Sequence, residues 1–533
     1  MKCLMTMKHG LSLFLSLLLL VGSLSVEAAN SETVEKRLLK SCTCETTRTT
    51  LDKKAASVNV KDFGAKLDGV TDISAAIVLA LNSMTSGTLL IPGDAKISAP
   101  IRMRSNVDVL VTGTLNATGL SSAFNWTGVS VLTTALTVQA NVADNTVTVA
   151  DSTGISAGDY VVLENNVFHT FLGAWQGIDS HFSEVIAVTG NTLTLNNSVP
   201  EVFPVASSLI RKITPVQNAN VNVKKIIGAP TDAFYMKWAI HNKCTGEVNP
   251  IGTKAVRFFA AFWNRATEIC GINPVANTVS PNGYGGLFDF GASDNIIENS
   301  CFENIREIAH GFNARRNVVR KNTIVRPFDS GVNTHGLGSV DAVIEDNTIT
   351  DAQQYGIAIG QKPPFGWWPD VGTKILNNKI INSKATGIRE AQFDAPIAAG
   401  TVIDGNDIRN VGTGNIPGNN HGIAIIGSAT GTSIVNPIIR RNRIKGSGTV
   451  GGIGIYVVGI SAKRTVIDDN VIDTTGGSGI RWNSAGGDHS ADGNVLRNIG
   501  ERGFQSNGDE RIILGKRNRV ESSTLGAYLN VTP

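Results

Sequence analysis

Between residues 295 and 519 short apolar runs alternate with polar residues, and they recur in one phrase: apolar-x-x-x-Asn-x-apolar. The phrases read NIIENSCF, VVRKNTIV, AVIEDNTI, KILNNKII, TVIDGNDI, PIIRRNRI, TVIDDNVI, SADGNVL and LGKRNRV. Their asparagines are Asn299, Asn322, Asn347, Asn378, Asn406, Asn442, Asn470, Asn494 and Asn518, separated by 23, 25, 31, 28, 36, 28, 24 and 24 residues. About nine residues after each phrase comes a small turn and then Gly-apolar. Units this short, made of β-branched strands and Gly/Asn turns, cannot bury their own apolar face and must stack on their neighbours.

Leucine-rich repeats share the period but require a Leu-x-x-Leu-x-Leu frame that this chain lacks. The expectation is therefore an all-β right-handed parallel β-helix, with the repeated asparagines stacked as a turn ladder. The shortest gaps give the basic coil; the gaps of 31, 28 and 36 residues carry insertions.

Upstream the pattern changes several times. Lys2 and Lys8, an apolar run from Leu11 to Val21 and small residues up to Ala28 read as a secretory signal peptide over residues 1–28, with an apolar core too short for a membrane span. No later stretch reaches eighteen apolar residues, so a secreted, periplasmic or extracellular protein without a membrane span is expected. Residues 29–57 are polar and read as a disordered leader, with a dibasic Lys36-Arg37. At Val58 an extended VNVKDFGA leads to a turn at Asp68-Gly69, a helix capped by Thr71-Asp72 over residues 73–84, and a strand at GTLLIP.

That stretch resembles the opening module of the pectate-lyase superfamily of β-helix proteins, related to glycoside hydrolase family 28 and shared with many phage tailspikes. The pattern D-F-G-A-x-x-D-G-x-T-D-x-x-A-A-I, then G-T-L-x-I-P, is matched by Asp62 to Ala65, Asp68, Gly69, Thr71, Asp72, Ala75 to Ile77 and Gly87 to Pro92. The resemblance implies that the helix caps the open end of the solenoid, and that these acidic residues are caps and turns. The opening module is taken as 58–129. Alternating strands with Gly-Asp and Gly-Asn turns over 130–213 read as an inserted small β-barrel or sandwich, of a kind the tailspike-like members also carry. Coils then resume over 214–533, with a final strand or cap.

Composition adds little to this. Lys and Arg number 47 against 44 Asp and Glu, for a formal net charge of +3, so charge selects no partner. Fifty-six glycines and a 6% aromatic share suit a turn-rich β protein. Beyond the signal segment five cysteines remain, namely Cys42, Cys44, Cys244, Cys270 and Cys301. The odd number leaves at least one unpaired, and the last three are spaced so that stacked neighbours could bond.

Candidate chemistry comes from strand parity. If the residue after each repeat glycine points inward, the residues two and four positions after that glycine point out. The outward columns are then Asn313, Asn333, Ala358, Arg389, Ala424, Arg481 and Gln505, and beside them Arg315, His335, Gly360, Ala391, Ile426, Asn483 and Asn507. Small residues in the middle look like a groove floor, and the longest loops rise beside it, where binding residues concentrate on rigid scaffolds. The candidate centre is Asp329, Asn333, His335, Tyr355, Arg389, Glu390, Asp394 and His421. Trp367 and Trp368, in a loop stiffened by prolines, Trp175 in the insert, and Arg315 and Arg481 are candidate substrate contacts, the aromatics as sugar platforms.

Two chemistries fit these residues. In β-elimination on a uronic-acid glycan, Arg389 or Asn333 neutralises the carboxylate, His335 removes the adjacent proton and Tyr355 protonates the leaving oxygen. In hydrolysis, two of Asp329, Glu390 and Asp394 face each other across the bond. An exported polysaccharide-degrading enzyme is expected, with the lyase slightly ahead of the hydrolase. A uronate C5-epimerase and a non-catalytic glycan-binding adhesive protein are the alternatives. Family 28 hydrolases carry an N-T-D, D-D, G-H-G, R-I-K series. Asn420-His421-Gly422 and Arg443-Ile444-Lys445 look similar, but Asp468-Asp469 falls after them and N-T-D is absent, so polygalacturonase activity is not carried over. No cofactor is expected; Ca²⁺ stays an alternative, with Asp329 and Asp341 as its candidate carboxylates, but no Asp-rich Ca²⁺ loop supports it. The Arg315, Arg316, Arg320 and Lys321 patch suits an acidic polysaccharide better than a nucleic acid, which is not expected as a partner. A homotrimer, common in tailspike relatives, cannot be read from the sequence.

Overall fold

The structure, a computed structural model, describes residues 56–171, 175–273, 283–311, 313–335, 338–360, 370–391, 397–414, 419–427, 433–448, 451–459, 462–483, 487–507 and 511–531. Side chains of 167–171, 175–179, 397–399 and 433 are not described. The expected signal peptide and leader, Cys42, Cys44, Asp394, Trp367 and Trp368 lie outside these residues, as does the side chain of Trp175.

The described chain winds as stacked rungs. Two strands of each rung join one 26-stranded sheet, and a third builds a 14-stranded sheet facing it. Pairing between rungs is parallel and in register, as in Ile297↔Val319↔Ile344↔Ile375 and Phe302↔Ile324↔Ile349↔Ile380. From the opposite sheet, Ile308, Val332, Ile357, Ile388, Ile423, Ile455 and Ile480 complete the lumen. All of them are fully buried. Each β-branched side chain thus rests on its equivalent one rung away, which is why so short a repeat can build a core.

The phrase asparagines do form a ladder inside the corner between the first two strands of each rung. Asn378 donates its backbone N–H and its Nδ2 to Asn406 Oδ1 at 2.9 and 3.0 Å, and sends a further Nδ2 bond to the Ile344 carbonyl at 2.8 Å. Asn406 does the same to Asn442, and the pattern runs to Asn518. The expected first member is displaced by one residue. Asn299 sits at a left-handed bend (φ 49°), the place Lys321 and Asp346 take in the next rungs, and Ser300 occupies the ladder position, donating its N–H to Asn322. A second ladder of Asn242, Asn264, Asn295 and Asn317 lines another corner of the earlier rungs.

The helix Ser74–Asn82, within the expected span, turns Ala76, Ile77, Ala80 and Leu81 onto the first rungs. Cys270 and Cys301, paired across adjacent rungs, are disulfide-bonded, and Cys244 is a buried free thiol. Between rungs an antiparallel six-stranded sheet carries its own core around Leu163, Val185, Phe203 and Ile210. It docks on the solenoid through Phe182, stacked 3.9 Å from Phe262, with Tyr160, Trp238 and Trp263 around them.

Replacing one ladder asparagine removes the acceptor of two buried donors on the preceding rung. Asn406→Ala should therefore cost about 2–4 kcal/mol, while Asn299→Ala, off the ladder, should cost far less. Denaturant or thermal unfolding of the two variants checks this.

Candidate functional site

The glycine that opens most strands of the 14-stranded sheet is dictated by packing. A Cβ at Gly356 would lie 2.4 Å from Ile380 Cγ2, and one at Gly331 2.6 Å from Ile349 Cγ2. The same contact recurs at Gly387, Gly422 and Gly454. Alanine takes this position at Ala123, Ala233, Ala255 and Ala527, and one rung carries a long polar side chain there: Glu307, directly before the strand Ile308–His310 and bonded through its carbonyl to Gly285 N. Its carboxylate reaches the outward-facing side chains of the next rung, Asn333 and His335, and gathers a cluster of titratable groups around it.

Glu307 Oε1 lies 2.7 Å from His335 Nε2 and 3.3 Å from Arg306 Nε, while Oε2 accepts from Asn333 Nδ2 at 3.0 Å. The Glu307 side chain is fully buried and that of His335 is 12% exposed. Burial alone would raise the Glu307 carboxyl, but the His335 imidazole, Arg306 and Asn333 outweigh it and hold it below the usual range. Asn333 Oδ1 accepts the His335 N–H at 2.9 Å, which fixes a histidine in the left-handed region (φ 56°). Asp329, half-buried at the edge of the same sheet, is pushed up to about 6 by desolvation and by the Glu307 charge. Tyr284 faces Arg306 at 5.1 Å, and its hydroxyl is raised by burial and by Glu307. One carboxyl is thus held ionised beside another that keeps its proton to nearly neutral pH, the arrangement that divides acid from base roles.

The expected outward column holds from Asn333 through Ala358, Arg389, Ala424 and Arg481 to Gln505, with Tyr456 added between the last two rungs of the middle. Arg389 lies over the Tyr355 ring at 5.0 Å, and Tyr355 Oη is 3.4 Å from Asn419 Oδ1. At rungs about 4.8 Å apart, Tyr355 is one rung from Asn333 and Arg389 two, and the pair forms its own contact apart from the Glu307 partners. Arg481 meets Asn507, whose amide oxygen, in the swapped orientation, accepts from Arg481 Nε at 3.1 Å. Asn483 bonds the Tyr456 hydroxyl at 3.2 Å.

Three expectations are corrected. Glu390 does not face solvent: it follows Arg389 by one residue, so parity turns it into the lumen beside Ile359 and Ile425. There it is fully buried and accepts from Thr401 Oγ1 at 2.9 Å, while its Oε2 has no protein partner among the described residues. Arg315 was placed one strand out of register, because the strand of its rung is Ile308–His310 and not the Gly311 phrase. Arg315 instead holds the inserted sheet, bonding Glu201 at 3.2 Å with help from Asn313. His421 is buried at the sheet edge, where its Nδ1 accepts from Ile453 N at 3.3 Å and its ring meets Tyr456 at 4.7 Å. It is a corner residue rather than an open substrate contact. The basic patch is neutralised too, Arg316 by Asp294 and Arg320 by Glu298, both within 2.8 Å.

Glu307, Arg306 and Tyr284 were missed. The signal was available: where other rungs read Gly-Val-Asn or Gly-Ile-Ala, this one reads Glu307-Ile308-Ala309, and aligning its later Gly311 hid the substitution. Asp370 was also missed. It lies in the lumen, accepting from Thr334 and from the N–H groups of Ser339 (2.8 Å) and Gly360 (3.0 Å). Among the described residues no group of three His, Cys, Asp or Glu side chains could hold a metal ion, and no helix is long and apolar enough to cross a membrane.

Residues 268–389 match the family model of the right-handed β-helix region. No curated protein sequence matches the chain. Among solved structures, the chain is similar to a tailspike protein of Pseudomonas phage LKA1, with 16% identity, TM-score 0.64, and 85% of this chain and 83% of that one covered. A tailspike of Pseudomonas phage phi297 aligns at 13% identity and TM-score 0.58, covering 86% and 80%. A tailspike of Acinetobacter baumannii bacteriophage AP22, solved in complex with a capsular saccharide of A. baumannii, aligns at 12% and 0.52, covering 87% and 76%. At such identities the likeness is one of fold.

The lumenal acids give a stability test. Burial raises Asp370 and Glu390 to about 7, so the folded chain keeps protons that the unfolded chain loses near pH 4. Stability should therefore fall as pH rises from about 4 to about 7, by up to about 1.4 kcal/mol per pH unit for each titrating group. Glu390→Gln should flatten that slope in melts across the same range; an unchanged slope would mean that Glu390 takes up no proton on folding.

Proposed function

Taking the chain as a right-handed parallel β-helix protein, we propose that it cleaves an acidic polysaccharide by β-elimination at the Glu307 cluster. What supports this reading is the pairing of His335, held by an ionised Glu307, with Asp329, which keeps its proton to about 6. In the neutral imidazole, donation from Nε2 to Glu307 makes Nδ1 the basic nitrogen. His335 takes the proton alpha to the sugar carboxylate, and the electron pair of that C–H bond forms a double bond as the glycosidic C–O bond breaks. Asp329 delivers its proton to the departing oxygen. Arg306, partly exposed beside Glu307, supplies positive charge for the sugar carboxylate. These roles replace the expected Arg389 and Tyr355, which sit two rungs and one rung beyond Asn333.

A glycan substrate is consistent with the length of the face, since six rung steps from Asn333 to Gln505 span about 29 Å. It is consistent as well with the tailspike from phage AP22, which was solved with a capsular saccharide. Hydrolysis is the second reading, favoured only by the presence of two carboxyls in the cluster. It is the weaker because Glu307 is fully buried and spoken for by three partners. The signal-peptide pattern supports an exported protein.

His335→Ala and Asp329→Asn should each lower turnover on an acidic polysaccharide by about 100-fold or more, with the fold retained. Elimination leaves an unsaturated uronide that absorbs in the ultraviolet, whereas hydrolysis gives new reducing ends without it. In the wild type, kcat/KM should fall as pH rises through about 6, when Asp329 loses its proton, and this limb should vanish in Asp329→Asn. Wild-type rates in both variants would rule the cluster out.

A further inference from the structure

Four rungs before His335, the outer face of the same sheet changes from small residues to rings and cations. Register carries the His335 column back through Gly311, Asp289 and Phe259 to Lys237, and the neighbouring column from Asn333 through Ala309, Leu287 and Arg257 to Tyr235. At about 4.8 Å per rung, Lys237 lies about 19 Å from His335 along the groove. Here the face meets the inserted sheet, because Trp238 belongs to the docking cluster and the charges of Glu164 and Arg211 on the insert act on Lys237.

Among the described residues the charges in this angle do not balance. Arg211, Lys237, Lys254 and Arg257 are four cations, against three carboxylates, Glu164, Asp232 and Asp289. Arg211 is taken by Glu164 at 2.6 Å, Lys254 by Asp232 at 3.5 Å and Arg257 by Asp289 at 2.7 Å. Lys237 is the cation left over. Its Nζ stands 4.3 Å above the Trp238 ring and 5.3 Å from the Phe259 ring, with no hydrogen bond or ion pair among the described residues. The guanidinium of Arg257 also lies over the Phe259 ring, at 5.1 Å. Ring faces hold an ammonium in place but accept none of its three N–H groups as a carboxylate does. The side chain is half-buried, so this charge is oriented and partly stripped of water before any ligand arrives.

We propose that Lys237, with the partly exposed ring of Phe259 beside it, forms a subsite that binds the carboxylate of an acidic sugar residue remote from the cleaved bond. The proposal rests on the glycan reading of the Glu307 cluster, and it narrows the substrate to an anionic chain long enough to reach both places. Lys237 touches no reacting atom, so its contribution is to binding and positioning of the polymer. The ring of Phe259 offers the sugar an apolar face while Lys237 takes its charge.

The test uses the full chain carrying Asp329→Asn, so that bound oligomers persist, with oligogalacturonate and oligomannuronate as acidic probes and maltooligosaccharide as the neutral one. Lys237→Met, which keeps the stem, should weaken binding of the acidic probe about ten-fold or more and lower its salt dependence. Lys237→Arg should restore most of the affinity, which a merely structural role of the side chain would not produce. With Asp329 intact, Lys237→Met should raise KM and leave kcat near wild type on long chains, with no effect on chains too short to span four rungs. Equal affinity of wild type and Lys237→Met for the acidic probe, or binding of the neutral probe alone, overturns the subsite. Loss of the Asp329 and His335 effects on turnover overturns the reaction instead, and the two failures are read in separate assays.

Discussion

The corner of each rung must satisfy a buried backbone N–H at a place where the chain turns away from its own strand, and the asparagine ladder does this across rungs. An amide side chain is a neutral group that presents an acceptor to two donors of the preceding rung while donating to a carbonyl, and the Ser300 hydroxyl does the same for one donor, Ile269 N. Asn378, Asn406 and Asn442 each use both functions, with distances between 2.8 and 3.0 Å throughout. A leucine there would fill the space and strand two donors. The ladder therefore sets the register of every strand that follows, including the outer face on which the candidate chemistry stands.

Register, once set, leaves little freedom on the 14-stranded sheet. The glycine before the strands from Val332 to Ile455 is forced by the isoleucine column opposite, and the lumenal positions are apolar in most rungs. Chemistry then appears where a rung departs from the rule. Glu307 stands at a glycine position and sends its carboxylate outward into a dry setting, where the partners that hold it ionised are strand neighbours one rung away. The same burial that would neutralise an isolated carboxyl makes its charge felt by Asp329 and Tyr284, because little water screens it. In the lumen, Thr334, Asp370 and Glu390 break the apolar columns, and there nothing opposes burial strongly enough to keep the carboxyls ionised at neutral pH.

The fold was readable from the sequence because it rests on repetition: the asparagine period, the Gly-apolar phrase and the opening module each encode a local step that the solenoid multiplies. Outward parity was readable for the same reason, and it placed Asn333, His335, Arg389 and Arg481 on one face. The site was only partly readable. Asn333 and His335 were found by parity, but their anchor Glu307 was hidden by an alignment that followed a glycine at Gly311. Parity also says nothing of what a neighbouring rung contributes, which is how Arg389 and Tyr355 were grouped with residues one or two rungs distant. Arg315 was misplaced by the same slip, and its contact with Glu201 depends on an inserted sheet whose docking no periodicity reveals. Asn299 for Ser300 is the smallest case: a turn residue beside the ladder looked like a member of it.

The inserted sheet is what distinguishes this solenoid face from a plain ladder. A bare β-helix offers a polymer a floor without walls, so each sugar residue meets similar rungs and little fixes its position along the groove. An independent sheet, docked through Phe182 on Phe262 and tied by Glu201 to Arg315, makes one end of the floor an angle with its own charges. Among the described residues the ion pairs there consume the three carboxylates and leave one ammonium over aromatic rings. Because Lys237 and His335 ride on one register, the distance between them is set by the number of rungs and not by the flexibility of a loop. A substrate held at the angle would therefore reach the Glu307 cluster at a fixed place along its length, so that the ladder which keeps the fold in register also fixes the point of reaction.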